Sequence, residues 1–230
     1  MTLDDLKKMI EKGELEVEPG EEKIVDQGLI KNNEDQDVEY KIYHGWNIIF
    51  SFDCDREWGN DSLQLFEYIE QKNFDEDYLS DVLESIQVED YHWNWAAKSI
   101  ACRDDQYEWF YFYADGKPQA ACLIYHPESS ALEEAEIFYV EYLAVAPWNR
   151  SCLVRERLHK GVGSKLLSVA LDYSVNILGL KPGFCLHSLP QSVDYYKKIK
   201  MINISQKDKP RLLYFEMPSA EAEKILLGVA

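Results

Sequence analysis

Two stretches decide how this chain folds: EYLAVAPWNR at residues 141–150 and KGVGSKLLSVAL at residues 160–171. The first is an apolar run that a proline ends, which is typical of a buried strand. The second places Gly161 and Gly163 directly before an apolar segment of helical period. Glycine lets the backbone turn its amide hydrogens inward, and a helix N-terminus adds the positive end of its dipole. The pattern therefore predicts a strand, a phosphate-binding turn and a helix, in that order.

A G-x-G sequence alone is a weak signal, because simple turns and close helix packing use the same residues. Two stronger phosphate motifs are excluded. The dinucleotide-binding pattern G-x-G-x-x-G needs a third glycine where Leu166 stands. The P-loop pattern G-x-x-x-x-G-K-[ST] occurs nowhere in the chain.

Around this unit, apolar spacing and turn residues predict further strands and helices. Asp115-Gly116 is a hairpin signal between two of the strands. A strand–helix–strand passage among otherwise antiparallel strands predicts an α/β (mixed α+β) fold, with a central, mostly antiparallel sheet and helices on both faces. The predicted strands are residues 38–52 (one strand, or two short ones around a turn), 107–113, 119–125, 137–146, 183–188 and 212–217. The predicted helices are residues 62–71, 75–86, 91–102, 164–178, 191–199 and a segment from residue 219.

Composition limits the class of protein. The 230 residues carry a formal net charge of −18, which repels nucleic-acid phosphates and anionic lipid. The five cysteines are an odd number without a C-x-x-C pair, which fits neither a disulfide framework nor a zinc site. The chain shows no signal-peptide pattern and no apolar run long enough to span a bilayer. We expect a soluble, cytoplasmic protein without a metal, a nucleic-acid partner or a membrane partner.

The N-terminal region differs from the rest in composition. Residues 3–12 have helical spacing that Gly13 ends, and residues 18–39 are acidic with few apolar positions. We therefore expect a helix and a loosely packed acidic arm at residues 1–38, followed by one domain at residues 39–230.

The two stretches together resemble the central motif of the GNAT (GCN5-related N-acetyltransferase) superfamily. That motif is a strand ending in L-x-V-x-P, then R/Q-x-x-G-x-G/A at the start of a helix. Leu143, Val145 and Pro147 match the strand end, and Gly161 and Gly163 match the glycine pair.

A second segment supports the resemblance. Residues 192–201 (SVDYYKKIKM) keep the register of a short family helix of the form A-x-x-F-Y-x-x-x-G-F. The resemblance covers roughly residues 105–217, and it assigns residues 39–230 to a GNAT-like acyltransferase domain.

The resemblance implies direct attack of an amine on the thioester of acetyl-CoA, the cosubstrate. Tyr196 matches the family tyrosine that protonates the leaving thiolate, which a phenol with a pKa near 10 can do at neutral pH. Glu141 is the candidate base that deprotonates the amine. The residues implied in coenzyme binding lie at the strand end or the glycine turn: Leu143, Ala144, Val145, Arg150, Lys160, Gly161, Val162, Gly163 and Ser164.

The chain also departs from the family pattern. Leu158 stands where an Arg or Gln precedes the glycines, and Lys200 stands where glycine with positive φ is usual. Residues 148–160 read as an insertion that leaves Arg150 and Arg157 as alternative pyrophosphate ligands. A second reading therefore stays open: a catalytically silent GNAT-fold module that binds acyl-CoA or a protein. An aminoacyl-tRNA donor is a third, which the net charge disfavours.

The sequence defines the acceptor substrate less closely than the acetyl donor. Five aromatic residues fall in segments that wall the acceptor site in relatives, and an aromatic, acidic pocket would suit a cationic or hydrophobic amine. Core packing is the commoner role of such residues. We expect a small-molecule or protein amine, while the oligomeric state, with a homodimer as one option, stays open. The five residues are Trp93, Trp95, Trp109, Tyr111 and Tyr113.

His187 and Ser188 are adjacent in a predicted strand. Adjacent strand residues point to opposite faces, so the pair is not expected to form a nucleophilic dyad. A substrate-site role for His187 is the alternative to a structural one.

Overall fold

The computed structural model describes residues 8, 12 and 23–228. The helix predicted at residues 3–12 lies outside the described residues, apart from Lys8 and Lys12.

Eight strands form one sheet in the order β1-β2-β3-β4-β5-β6-β8-β7. Among the described strands, β5 and β6 pair in parallel and all other neighbours are antiparallel. This confirms the predicted mixed, mostly antiparallel sheet. The strands are β1 (Lys23–Lys31), β2 (Asp37–His44), β3 (Tyr107–Ala114), β4 (Lys117–Ser129), β5 (Glu136–Val145), β6 (Phe184–Ser188), β7 (Ile202–Asn203) and β8 (Leu213–Met217).

Helices cover both faces of this sheet, as predicted. The alternation along β3 shows the two cores: Trp109 and Tyr111 pack with α1 and α3, while Phe110 and Phe112 pack on the opposite face with α4. The helices are α1 (Ile48–Gln71), α2 (Glu76–Ser85), α3 (Trp95–Ala101), α4 (Val162–Asn176), α5 (Val193–Lys198) and α6 (Ser219–Leu226).

The strand predicted at residues 38–52 is wrong in its second half. β2 ends at His44, Gly45 has a φ of 119°, and the Asn47 side chain accepts hydrogen bonds from the N–H groups of Ile49 and Phe50. These contacts begin α1 at Ile48, well before the start predicted at residue 62. The apolar residues after Asn47 are core residues of a helix. Gly59 in the interior of this helix interrupts the helical spacing of its apolar residues.

The prediction of a loosely packed arm is also wrong from Lys23 onward. β1 pairs with β2 from Lys23 opposite His44 to Lys31 opposite Asp37. It is an edge strand with many exposed positions, so it needs few apolar residues to join the sheet. Its polar composition gave no strand signal.

Two predictions about backbone conformation are confirmed. Asp115 and Gly116 both have positive φ, at 51° and 69°, as a tight hairpin turn requires. Lys200, at the position where glycine is usual, has a φ of 66°. A non-glycine residue in this region costs about 1–2 kcal/mol.

Candidate functional site

The glycine turn forms the N-terminus of α4, and a different physical reason favours glycine at each of its two glycine positions. Gly161 caps the helix with a φ of 78° and makes no side-chain cap hydrogen bond. A Cβ on Gly161 would meet nothing within 4 Å, so its backbone conformation is what favours glycine. A Cβ on Gly163 would lie 3.0 Å from Cγ1 of Val145, so this glycine lets α4 approach β5 closely.

The turn presents free hydrogen-bond donors. Among the described residues, no acceptor takes the amide hydrogens of residues 160–164, and the first bond of the helix runs from Lys165 N–H to the Gly161 carbonyl. Consecutive free amides at a helix N-terminus are suited to binding an anion.

The strand before this turn separates from its parallel neighbour. β5 and β6 pair at Phe138 opposite Phe184 and at the next two positions, and the pairing ends at Val140. At the same point a bulge against β4 inserts Glu141 between Val140 and Tyr142. A bulge bends the strand that carries it, which fits the separation from β6.

A groove joins the bulge to the glycine turn. A cavity of about 330 Å³ at the separation is lined by Glu141, Leu143, His187 and Tyr196. A second cavity, of about 290 Å³, lies at the glycine turn and shares Leu143, Ser192 and Tyr196 with the first. Of the nine residues predicted to bind coenzyme, eight line this second cavity: Leu143, Ala144, Val145, Arg150, Gly161, Val162, Gly163 and Ser164.

Lys160 and two further cations lie next to the groove. Lys31, Arg157 and Lys160 line a third cavity, of about 740 Å³, between the β1–β2 turn and residues 151–158. Arg157 also lines the cavity at the glycine turn. Leu158 packs instead against the core under α1, so the position of the family Arg or Gln faces an apolar cluster.

Arg150 is held by the protein. Its guanidinium donates two hydrogen bonds to the Asp90 carboxylate, at 2.5 and 2.7 Å, and others to the carbonyls of Val145 and Gln87, both at 2.9 Å. The side chains of Arg150 and Asp90 are only 10% and 5% exposed. Arg150 thus lines the predicted cavity, but a buried ion pair occupies its donors. Nothing in the sequence pattern singles out Asp90.

The segment between α2 and α3 is tied to the groove at a second point. Gln191 N–H donates to the Glu89 carboxylate at 2.9 Å, and Glu89 N–H donates to the Gln191 side chain at 3.3 Å. Together with the Arg150–Asp90 pair, these bonds fix this segment across the groove.

Glu141 is half-buried beside the separation of β5 and β6. Burial raises the pKa of its carboxyl, while the positive charges of Lys209 and Lys98 act to lower it. A carboxylate with a raised pKa, in a cavity, fits a general base for an amine.

Tyr196 is 7% exposed and contacts both cavities of the groove. Burial raises the pKa of its phenol above the usual value, so the group stays protonated at neutral pH. Its neighbour Tyr195 bonds Ser164 through the two hydroxyls at 2.9 Å, which fixes α5 against the start of α4.

Hydrogen bonds with neighbouring residues hold both ring nitrogens of His187. Its Nε2 lies 2.9 Å from the Lys207 carbonyl, which can only accept, so Nε2 carries the hydrogen. Nδ1 then accepts from the Tyr139 hydroxyl at 2.7 Å. Burial lowers the pKa of His187. Ser188 is buried and donates to the Leu189 carbonyl, so the two residues form no dyad.

Of the five aromatic candidates, Trp93 differs in position from the other four. Trp93 lines the cavity that contains Glu141, and Lys98 Nζ lies 5.2 Å from the Trp93 ring and 3.4 Å from that of Tyr142. Trp109 and Tyr111 are buried core residues. Trp109 and Tyr111 therefore have the core-packing role that is the commoner one for aromatic residues.

Among the described residues, no helix is long and apolar enough to cross a membrane, and no group of side chains is arranged to hold a metal ion.

Comparisons with known proteins give similarities of structure. No protein-family model matches the chain, and no curated protein does. Apo FdhC, described as a nucleotide-linked sugar GNAT, is similar at 14% identity over 89% of this chain and 98% of that chain, with a TM-score of 0.47. Mycobacterium smegmatis RimJ in complex with CoA-disulfide is similar at 12% identity over 88% and 94%, with a TM-score of 0.47. Thermoplasma acidophilum PaiA N-acetyltransferase in complex with coenzyme A is similar at 14% identity over 76% and 97%, with a TM-score of 0.43. We therefore base the function on the residues and geometry of this chain.

Proposed function

We propose that this protein is an N-acetyltransferase of the GNAT type that transfers an acetyl group from acetyl-CoA to a primary amine. The observation that carries the proposal is the separation of β5 from β6 beside Glu141, in a groove that leads to the free amides of the glycine turn.

The pyrophosphate of the coenzyme would bind the amide hydrogens of residues 160–164, which have no acceptor in the described part of the protein. Backbone donors allow this in a chain of net charge −18. Arg157 and Lys160 would add positive charge at the mouth of the cavity. The thioester would then lie along β5 at residues 143–145, with the acetyl group near Glu141.

The chemistry needs three proton transfers. Glu141 takes a proton from the acceptor ammonium, and the amine nitrogen then attacks the thioester carbonyl carbon. As the carbon–sulfur bond breaks, Tyr196 donates its phenolic proton to the leaving thiolate, and the nitrogen, which became positively charged on attack, gives up its second proton and restores the phenol. The proton on Glu141 passes to solvent. No acyl-enzyme is needed.

Calorimetric titration with acetyl-CoA tests the donor site. Gly161→Asp is expected to weaken binding about tenfold or more, because it places a carboxylate beside the pyrophosphate. Gly161→Asn is the matched control: it has the same shape, is uncharged and tolerates positive φ. Micromolar binding by the wild type, reduced in the Asp variant and retained in the Asn variant, supports the proposal. Absence of binding by the wild type contradicts it.

Tyr196→Phe is expected to lower kcat about tenfold to a hundredfold at unchanged acetyl-CoA affinity, because only the proton donor is removed. Tyr195→Phe is the comparison, since it loses the bond to Ser164 and should weaken acetyl-CoA binding more than it lowers kcat. Steady-state kinetics with saturating amine separates the two effects. An unchanged kcat and pH profile in Tyr196→Phe would show that Tyr196 is not the acid, and binding without turnover of any amine would favour the silent module.

A further inference from the structure

A cavity of about 410 Å³ lies beside the groove, on the face of the sheet that α1 covers. Most side chains around it are apolar, and several are aromatic. Its size lies in the range of small-molecule sites, which are mostly apolar with a few polar groups. The aromatic residues on its walls are Trp58, Phe66, Tyr91, Trp93 and Trp95.

Gly59 lies on the wall of this cavity, inside the 24-residue helix α1. Glycine in a helix interior is destabilising relative to alanine. A Cβ at this position would meet nothing within 4 Å, so packing against the protein does not account for the glycine. The missing side chain leaves additional space at the cavity wall.

Four charged side chains reach the cavity, and the protein holds each of them. Asp55 accepts the first two N–H groups of α3, at 2.7 and 3.1 Å. Asp90 pairs with Arg150, and Arg155 donates to Asp61 at 2.9 Å. A ligand group in this cavity therefore finds mainly apolar and aromatic surface, with Arg155 Nε as a buried donor that has no partner among the described residues. This lining favours an apolar group.

The cavity adjoins the proposed transfer groove. Trp93 also lines the cavity that contains Glu141, while Asp90 and Arg150 also line the cavity at the glycine turn. Trp93 is thus a wall common to both cavities, and a molecule whose amine lies at Glu141 would have to pass this ring to reach the cavity along α1. At the outer rim, Leu63 is 60% exposed and Tyr91 is 77% exposed.

From these observations we infer that the cavity along α1 binds an aryl or branched alkyl group of the acceptor amine. This inference rests on the proposed function and adds the substrate class: a primary amine that carries a neutral, apolar substituent.

The test compares ethylamine with benzylamine, 2-phenylethylamine and 4-phenylbutylamine at saturating acetyl-CoA. Burial of each methylene contributes about 0.8 kcal/mol, which is about fourfold. The best aryl amine should therefore exceed ethylamine at least tenfold in kcat/KM. Gly59→Phe, which places an aromatic ring at the exposed wall of the cavity, should reduce this preference to near onefold, whereas the matched Gly59→Ala variant should keep it.

Binding of the same aryl amines without acetyl-CoA, followed by tryptophan fluorescence, separates this inference from the proposed function. If acetyl-CoA does not bind but aryl amines bind and Gly59→Phe abolishes that binding, the cavity binds apolar amines, while the transferase proposal and the acceptor role of the cavity fail. Phe66→Glu, at a half-exposed position of the same wall, replaces Gly59→Phe should that variant not fold. Equal kcat/KM for ethylamine and all aryl amines, or an aryl preference that survives both Gly59→Phe and Phe66→Glu, overturns the inference.

Discussion

Replacing Arg150 with methionine is expected to destabilise the fold by about 3–5 kcal/mol, because it leaves the Asp90 carboxylate buried without its partner. The pair has two hydrogen bonds and little exposure, so solvent offers little compensation. Arg150 also ties the Val145 and Gln87 carbonyls together, which joins the end of β5 to the segment after α2. Urea denaturation of the wild type and the variant measures the difference.

The Arg155–Asp61 pair is the matched control. It has one hydrogen bond, and its side chains are 27% and 19% exposed. Asp61 Oδ2 and Arg155 Nε are already buried without partners among the described residues, so this pair is less well satisfied than the Arg150 pair. Arg155→Met should therefore cost less than Arg150→Met. Comparable losses in the two variants would contradict the special role of the Arg150 pair.

Asp90→Asn separates a structural Arg150 from a phosphate ligand. If Asp90 merely competes with the coenzyme for the guanidinium, the Asn variant should bind acetyl-CoA more tightly than the wild type. We expect instead a loss of stability and no gain in affinity, since Arg150 still bonds to two carbonyls. A gain in affinity with unchanged stability would restore Arg150 as a pyrophosphate ligand.

The parts of the candidate site that depend on backbone conformation could be predicted from the sequence. A glycine pair between an apolar run and a helix leaves few other structures. Gly161 has the positive φ that the predicted turn requires, whereas Gly163 has the close-packing role that the sequence left open as an alternative. The positive φ of Lys200 was expected from the family resemblance, because glycine is usual at that position. These features depend on residues close in sequence, so a single chain records them.

Other features depend on contacts between distant residues. Asp90 has no local signal, and it becomes important only because the fold brings it to Arg150, 60 residues away. The start of α1 was missed because Gly59 interrupts an apolar pattern that tertiary packing completes. β1 was missed because an edge strand gains stability from hydrogen bonds to β2 rather than from apolar burial.

Glu141→Gln is expected to lower kcat about 10²–10⁴-fold while acetyl-CoA affinity stays within about twofold, because the amide cannot take the proton of the ammonium. The change keeps the size of the side chain, so the bulge in β5 should persist. Steady-state kinetics and calorimetry on the same preparation measure the two quantities. Turnover close to the wild type would show that another group, or water, is the base.

The same variant should be more stable than the wild type at neutral pH. Burial raises the pKa of Glu141 in the folded protein above its unfolded value, so its contribution to stability is present at low pH and is lost as pH rises through the folded pKa. Glutamine carries no charge at any pH. The gain in thermal midpoint should therefore be visible at about pH 7 and disappear below the ordinary glutamate pKa of about 4.3.

Charged residues near Glu141 should shift the acidic limb of the pH profile of kcat/KM, and charges of opposite sign should shift it in opposite directions. Glu128 raises the pKa of Glu141, so Glu128→Gln should shift the limb to lower pH at nearly unchanged kcat. Lys209 lowers that pKa, so Lys209→Met should shift the limb to higher pH. Opposite shifts place the titrating group between the two charges, and their loss in the Glu141→Gln background would identify it as Glu141, because Lys209 also lowers the pKa of His187. A limb that stays fixed in both variants would assign the titration to the amine or to another group.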